Sequence, residues 1–116
     1  MSPRDHETRI EDILDRIRRI TFAEMHLGKV ETNGQFELAE MAFDSILYDL
    51  LAIGEAIKSL DEGMKLRNNH IEWKEIIRMR DFLAHQYFQI KVTLIKTSID
   101  KPLEELRLVC LAELQR

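Results

Sequence analysis

The sequence holds one cysteine, two prolines and four glycines in 116 residues, and each scarcity excludes something. A lone thiol, Cys110, cannot close an internal disulfide, and its neighbours Leu108, Val109 and Leu111 mark it as a buried side chain rather than a nucleophile. With so few helix breakers and few β-branched runs, the many Leu, Ile, Glu, Lys and Arg residues favour helix over sheet, so an all-α fold is expected. No apolar run approaches the roughly 18 to 20 residues of a membrane span. The first residues, MSPRDHETRIED, are charged where a signal peptide needs an apolar core. These features predict one helical domain over residues 1–116, cytoplasmic and without membrane attachment, and a hydrophobic content of 45% is enough to fill its core. HxxxH, ExxH, GxxxxGK[ST] and GxGxxG are all missing, and His6, His26 and His70 are scattered, so neither a metal nor a cofactor is expected.

Net charge is −4, which argues against a nonspecific nucleic-acid binder, but the charge is unevenly spread. Residues 65–96 hold seven Lys or Arg against Glu72, Glu75 and Asp81, a local balance of +4 that leaves −8 elsewhere. A phosphate-bearing partner fits that third of the chain; so does a solvated surface of uneven charge.

Apolar spacing predicts the helices. Ile10, Ile13, Leu14, Ile17 and Ile20 follow the i, i+3, i+4, i+7 rule and predict a first helix over residues 9–27, followed by a loop, GKVETNGQ, with Asn33-Gly34 as its turn. A second helix is expected over 36–60, stopped near Gly63. It carries one stripe of Ala42, Ile46, Ile53, Ala56 and Leu60, interrupted by Asp49, and a second apolar group of Phe43, Leu47, Leu50, Leu51 and Gly54. Two apolar faces need two burial partners, and in so short a chain the second is expected to be another subunit. A third helix should start near Ile71 and include Trp73, Ile76, Ile77, Leu83 and Ala84; a shorter segment spans 92–99 with Leu94, Ile95 and Ile99. Asp100 reads as the N-cap and Pro102 as the first turn of a last helix bearing Leu103, Leu106, Val109, Cys110 and Leu114. The sum is a bundle of four or five helices.

The third helix contains the anomaly, IIRMRDFLAHQYFQI. Trp73, Arg80 and Tyr87 are spaced by seven and so project within about 40° of one another, which aims Arg80 at the core. A buried guanidinium needs a carboxylate, and Asp49 is the matching misfit, so an Asp49–Arg80 pair is expected, with Glu55 as the other candidate; rim positions that reach water are the bland account. Arg78, Asp81 and His85 share another side at i, i+3 and i+7. Asp81 is placed to accept a hydrogen bond from His85, fixing its tautomer and leaving the other ring nitrogen free for proton transfer. A cation, an oriented imidazole and a phenol are what metal-free phosphodiester cleavage requires: a base for the ribose 2′-OH, an acid for the leaving oxygen, and a cation for the phosphate. Solvated surface residues give the same spacing. Phe82, beside Arg78 and His85, suggests a face that something covers.

RDFLAHQY, read as Arg-x4-His-x-Tyr, resembles the R-x4-6-H signature of the HEPN superfamily and in particular its HepT-like toxins. IGEAIKSL (residues 53–60) resembles the family's IGEA-type segment, IEWKEIIRMRD the tryptophan-containing run before the motif, and IDKPLEEL the proline-marked start of the last helix. The resemblance implies a dimeric helical bundle with both motifs around a shared cleft, a metal-independent endoribonuclease, and a role as the toxin of a type II toxin–antitoxin pair. It also implies a partner, an MntA-type minimal nucleotidyltransferase that silences the toxin by AMP transfer to tyrosine. Carried over, Arg80 and His85 are catalytic, Asp81 is the polar residue after the arginine, and Tyr87 is the AMP acceptor. Asp81 stands where the family often has asparagine and Gln86 where glycine is frequent; Arg78 fits the x6 version of the motif, so either arginine can be the working one. Arg80 and His85 are about 140° apart on the wheel, so Arg80 reaches around, the helix distorts, or two subunits share the cleft. Two other readings stand beside the enzyme: a noncatalytic module that binds nucleotide or the nucleotidyltransferase, and a structural helical dimer.

Overall fold

The computed structural model describes residues 3–86 and 92–116, with the side chains at 3, 28, 30–32, 36, 83–86 and 92–98 outside that description. The described residues form five helices, α1 (Pro3–Thr32), α2 (Phe36–Lys58), α3 (Glu62–Arg67), α4 (Trp73–Gln86) and α5 (Val92–Leu114), and no strand. A helix of 30 residues is about 45 Å long at the usual rise, so α1 sets the 46 Å long axis of the molecule. The expected all-α, four- to five-helix bundle is what forms.

The longest contact runs between α1 and α2. Ile10, Ile13, Ile17 and Ile20 make the buried stripe of α1, and Ala23 and Leu27 continue it, which is why the helix runs past Gly28 to Thr32 instead of stopping at residue 27. The reversal falls at Asn33-Gly34, where Gly34 takes φ 72°, a left-handed conformation open to glycine at little cost. The opposite end of α1 also extends beyond the apolar pattern. There the His6 Nε2 accepts a 3.2 Å hydrogen bond from the backbone N–H of Asp61, the residue that caps α3.

α2 has two helical partners within the chain. It packs on both α1 and α4, with Phe43 and Leu51 of the second face only partly buried. α2 ends at Lys58, with the Ser59 and Leu60 N–H groups closing the last turn on Ala56 and Ile57, and Gly63 lies inside the short α3 instead of terminating α2. Trp73 fixes the start of α4: its indole N–H is shared between the backbone oxygens of Lys65 (3.2 Å) and Asn68 (3.1 Å) in and beside α3. The expected break at Asp100 is absent. α5 is continuous with Pro102 inside it, although proline removes one helical hydrogen bond and crowds the carbonyl four residues back. Burial outweighs that cost, since Ile99, Leu103, Leu106, Val109 and Cys110 form one buried stripe through the proline. Leu83, Ala84, Leu94 and Ile95 have side chains outside the described set.

Cys110 is fully buried, and burial, reinforced by the charge of Glu113, pushes its thiol up to about 12. It stays protonated and inert as a nucleophile, as its apolar setting implies.

Candidate functional site

Arg80 sits on α4 where that helix packs on α2. Its side chain is 28% exposed. The stem crosses the buried Gly54 of α2, and the guanidinium comes out at the rim, where Nη2 lies 3.1 Å from Glu55 Oε2 and Nη1 3.0 Å from Asp81 Oδ1. Arg80 therefore snorkels: apolar stem inward, charge toward water. Its Nε is buried with no hydrogen-bond partner among the described residues. Lys58 stands 3.7 Å from Glu55 Oε2 and 3.9 Å from Asp81 Oδ1, so the four groups close a ring of alternating charge.

The Asp49–Arg80 pair does not form. Asp49 is indeed buried, with no exposed surface, but it faces α1 and not α4. Arg16 Nη1 donates to its Oδ1 at 3.0 Å and Arg19 Nε to its Oδ2 at 3.2 Å. Arg16 also bonds Asp12 through Nε at 3.2 Å, and its guanidinium carbon lies 5.5 Å from the centroid of the Tyr48 ring. Burial works against the Arg16 charge, and the bonds and charges of Asp12 and Asp49 outweigh it, raising its pKa above the ordinary arginine value. The pair went to the wrong arginine because the wheel of one helix cannot say which neighbour faces which stripe. A usable signal was present: Arg16 and Arg19, three apart, flank the stripe of Ile13, Ile17 and Ile20.

The other candidates are distributed unevenly. Arg78 is exposed and pairs with Glu75 on its own helix, away from the α2 contact. Asp81 spends Oδ1 on Arg80 and Lys58. Phe82 is 54% exposed, an uncovered aromatic next to the charge ring. The His85 side chain and all of Tyr87 lie outside the described residues. The backbone is helical through Gln86, so the Cα positions of Arg80 and His85 are about 140° apart around α4, and the Arg80 head is drawn toward α2.

A match to the family model described as Ribonuclease HepT-like covers residues 10–112. The chain belongs to the ribonuclease HepT-like family. That family's all-helical HEPN fold agrees with the five helices found here. Among relatives, the chain is 29% identical over 111 residues to a probable ribonuclease HepT of Thermococcus cleftensis, covering 90% of this chain and 91% of that one. It is 30% identical over 96 residues to a Caldanaerobacter subterraneus protein with a provisional RNase name, covering 83% and 76% respectively. A third relative, from Methanocaldococcus jannaschii, is named for gamma-glutamylcyclotransferase and, provisionally, RNase functions; it is 35% identical over 79 residues. That match takes in 68% of this chain but spans only 36% of the longer protein. No solved structure matches significantly. Within the HepT-like frame, the IGEA segment supplies Gly54 and Glu55, both of which meet Arg80; the sequence pointed to the segment but not to this contact.

Proposed function

We propose that this HepT-like chain is a metal-independent endoribonuclease, the toxin of a type II toxin–antitoxin pair, acting in the cytoplasm as a homodimer of one helical domain. The observation that carries the reading is Arg80, a guanidinium set by two helices at the rim of the bundle, five residues before His85 in a ribonuclease family chain. In the proposed reaction His85 takes the proton from a ribose 2′-OH, the 2′-oxygen attacks the adjacent phosphorus, and the departing 5′-oxygen is protonated, leaving a 2′,3′-cyclic phosphate and a 5′-hydroxyl. Arg80, or Arg78 in the x6 spacing, stabilises the charge that builds on the phosphate oxygens. A cleft between two copies answers the angular separation of Arg80 and His85, because the arginine of one copy then serves the histidine of the other. Tyr87 is the acceptor for AMP from an MntA-type nucleotidyltransferase, which closes the site.

The test is cleavage of labelled cellular RNA in EDTA by wild type and His85→Ala, once mass spectrometry shows Tyr87 unmodified. Cleavage by wild type alone supports the reading. Equal cleavage by a folded His85→Ala variant removes His85 from the site, and no cleavage by wild type removes the enzyme. The neutral charge ring around Arg80 favours a second reading in that case, a noncatalytic module that binds nucleotide or the nucleotidyltransferase through the same residues.

A further inference from the structure

Gly54 lies in the interior of α2 with ordinary helical φ, so no turn requires glycine there. Glycine in a helix interior costs roughly 0.5–1 kcal/mol relative to alanine. What requires it is the neighbouring helix: a Cβ at position 54 would stand 2.4 Å from both Cβ and Cγ of Arg80, far inside the 3.5–4.0 Å at which carbon atoms rest against one another. The bare backbone is a channel for the arginine stem.

The ring at the end of that stem is a poor source of stability. Glu55 is 61% and Asp81 49% exposed, and ion pairs so placed contribute about 0–1 kcal/mol. Against the cost of glycine the arrangement does no better than break even. Its product is geometric. Of the five guanidinium N–H donors, one on Nη1 goes to Asp81, Nη2 stands 3.1 Å from Glu55 as an ion pair, and the buried Nε–H has no partner among the described residues. Among the described residues Arg78 is tied to Glu75 one turn away and has no comparable mount.

We propose that Gly54 and Glu55 are positioning residues for Arg80: Gly54 lets its stem cross α2, and Glu55, with Asp81 and Lys58, holds its guanidinium in the one placement from which it meets the scissile phosphate. The inference rests on the ribonuclease reading and selects Arg80 over Arg78 within it.

Glu55→Gln and Gly54→Ala decide it. Glu55 is exposed, so Glu55→Gln keeps the fold and serves even where Gly54→Ala does not fold. Three readouts are taken on the full chain: kcat and KM on an oligoribonucleotide, the thermal midpoint, and the ¹⁵N NMR signal of the Arg80 Nε–H, which its burial protects from exchange. The expected result for Glu55→Gln is a kcat lower by roughly ten- to a hundredfold, the scale of a displaced catalytic group, with KM within about twofold, an unchanged thermal midpoint, and a shifted or exchange-broadened Arg80 signal. Folded Gly54→Ala should lose at least as much kcat. Unchanged kcat in either folded variant overturns the proposal, whatever happens to stability. If wild type cleaves no RNA, the ribonuclease reading fails and the catalytic role falls with it, while the Arg80 signal in the two variants still decides whether these residues hold the arginine.

Discussion

Against α1, the helix α2 turns a carboxylate with no exposed surface, Asp49, into the grip of Arg16 and Arg19. Against α4 it turns a bare backbone at Gly54 and a largely exposed carboxylate, Glu55. Both clusters join arginine to acid across a helix pair, yet the roles are reversed. On the α1 side the acid is sealed in, with Arg16 22% and Arg19 54% exposed; on the α4 side the cation is 28% exposed and the acids reach water. A sealed carboxylate must be paired or the bundle loses stability. A rim cation needs no partner to remain charged, so its partners are free to set its position, and it stays within reach of a ligand.

The largest way to break this comparison is to strip Asp49 of both partners. Arg16→Ala/Arg19→Ala should cost roughly 3–5 kcal/mol in urea unfolding, the range for an uncompensated buried charge. A loss below about 1 kcal/mol would show that Asp49 reaches water without its partners, and the contrast between the two sides of α2 would collapse. The single Arg16→Ala should cost less, because Arg19 still donates to Oδ2.

A third acid, with other partners, gives the pH dependence. Glu113, only 8% exposed, receives Arg67 Nη2 at 2.8 Å, Arg67 Nε at 3.2 Å and Asn68 Nδ2 at 3.0 Å, pinning α3 to the end of α5. Its pKa falls below the ordinary 4.5 chiefly through the hydrogen bonds from Arg67, which outweigh its burial, with Asn68 and the charge of Arg116 adding to the shift. A depressed carboxylate binds its proton more readily when unfolded, so its stabilisation is present above pH 4.5 and is lost as pH falls through the lower folded-state value. Replacing Glu113 by Gln should cost about 1–2 kcal/mol at pH 7 and flatten the stability curve on its acid side. A variant whose acid limb stays as steep as wild type would assign that limb to other carboxylates.

Much of this was legible in the chain. The stripe of Ile10, Ile13, Ile17 and Ile20 and the burial of Asp49 follow from periodicity, because a helix with one wet side must repeat its apolar residues about every 3.6 positions; the turn follows from the Asn33-Gly34 pair. Three things were not legible. Which arginine takes Asp49 depends on how helices are arranged in space, and a wheel carries no information across helices. The continuity of α5 through Pro102 depends on whether packing outweighs a local penalty, a comparison of magnitudes that the local sequence cannot make. The meaning of Gly54 was hidden because glycine has no side chain to classify; only the Arg80 stem lying on it shows why it stands there.

Smaller effects sharpen the α4 side. Glu55→Gln, so consequential for Arg80 in the proposal above, should change folding stability by no more than about 1 kcal/mol, since its partners stay partly hydrated. A larger loss would make the ring a structural clasp like the one around Asp49.

The smallest expected number is a zero, and it tests whether the two clusters are separate. Asp49 bonds Arg16 and Arg19; Arg80 pairs with Glu55 and bonds Asp81; the two sets share no residue. Asp49→Ala and Arg80→Ala should each destabilise the protein on their own account, and the double variant should equal their sum within about 0.5 kcal/mol, the limit for independent sites. A coupling of 1 kcal/mol or more would mean that the clusters communicate through α2, and that the sealed carboxylate on one side helps to place the working arginine on the other.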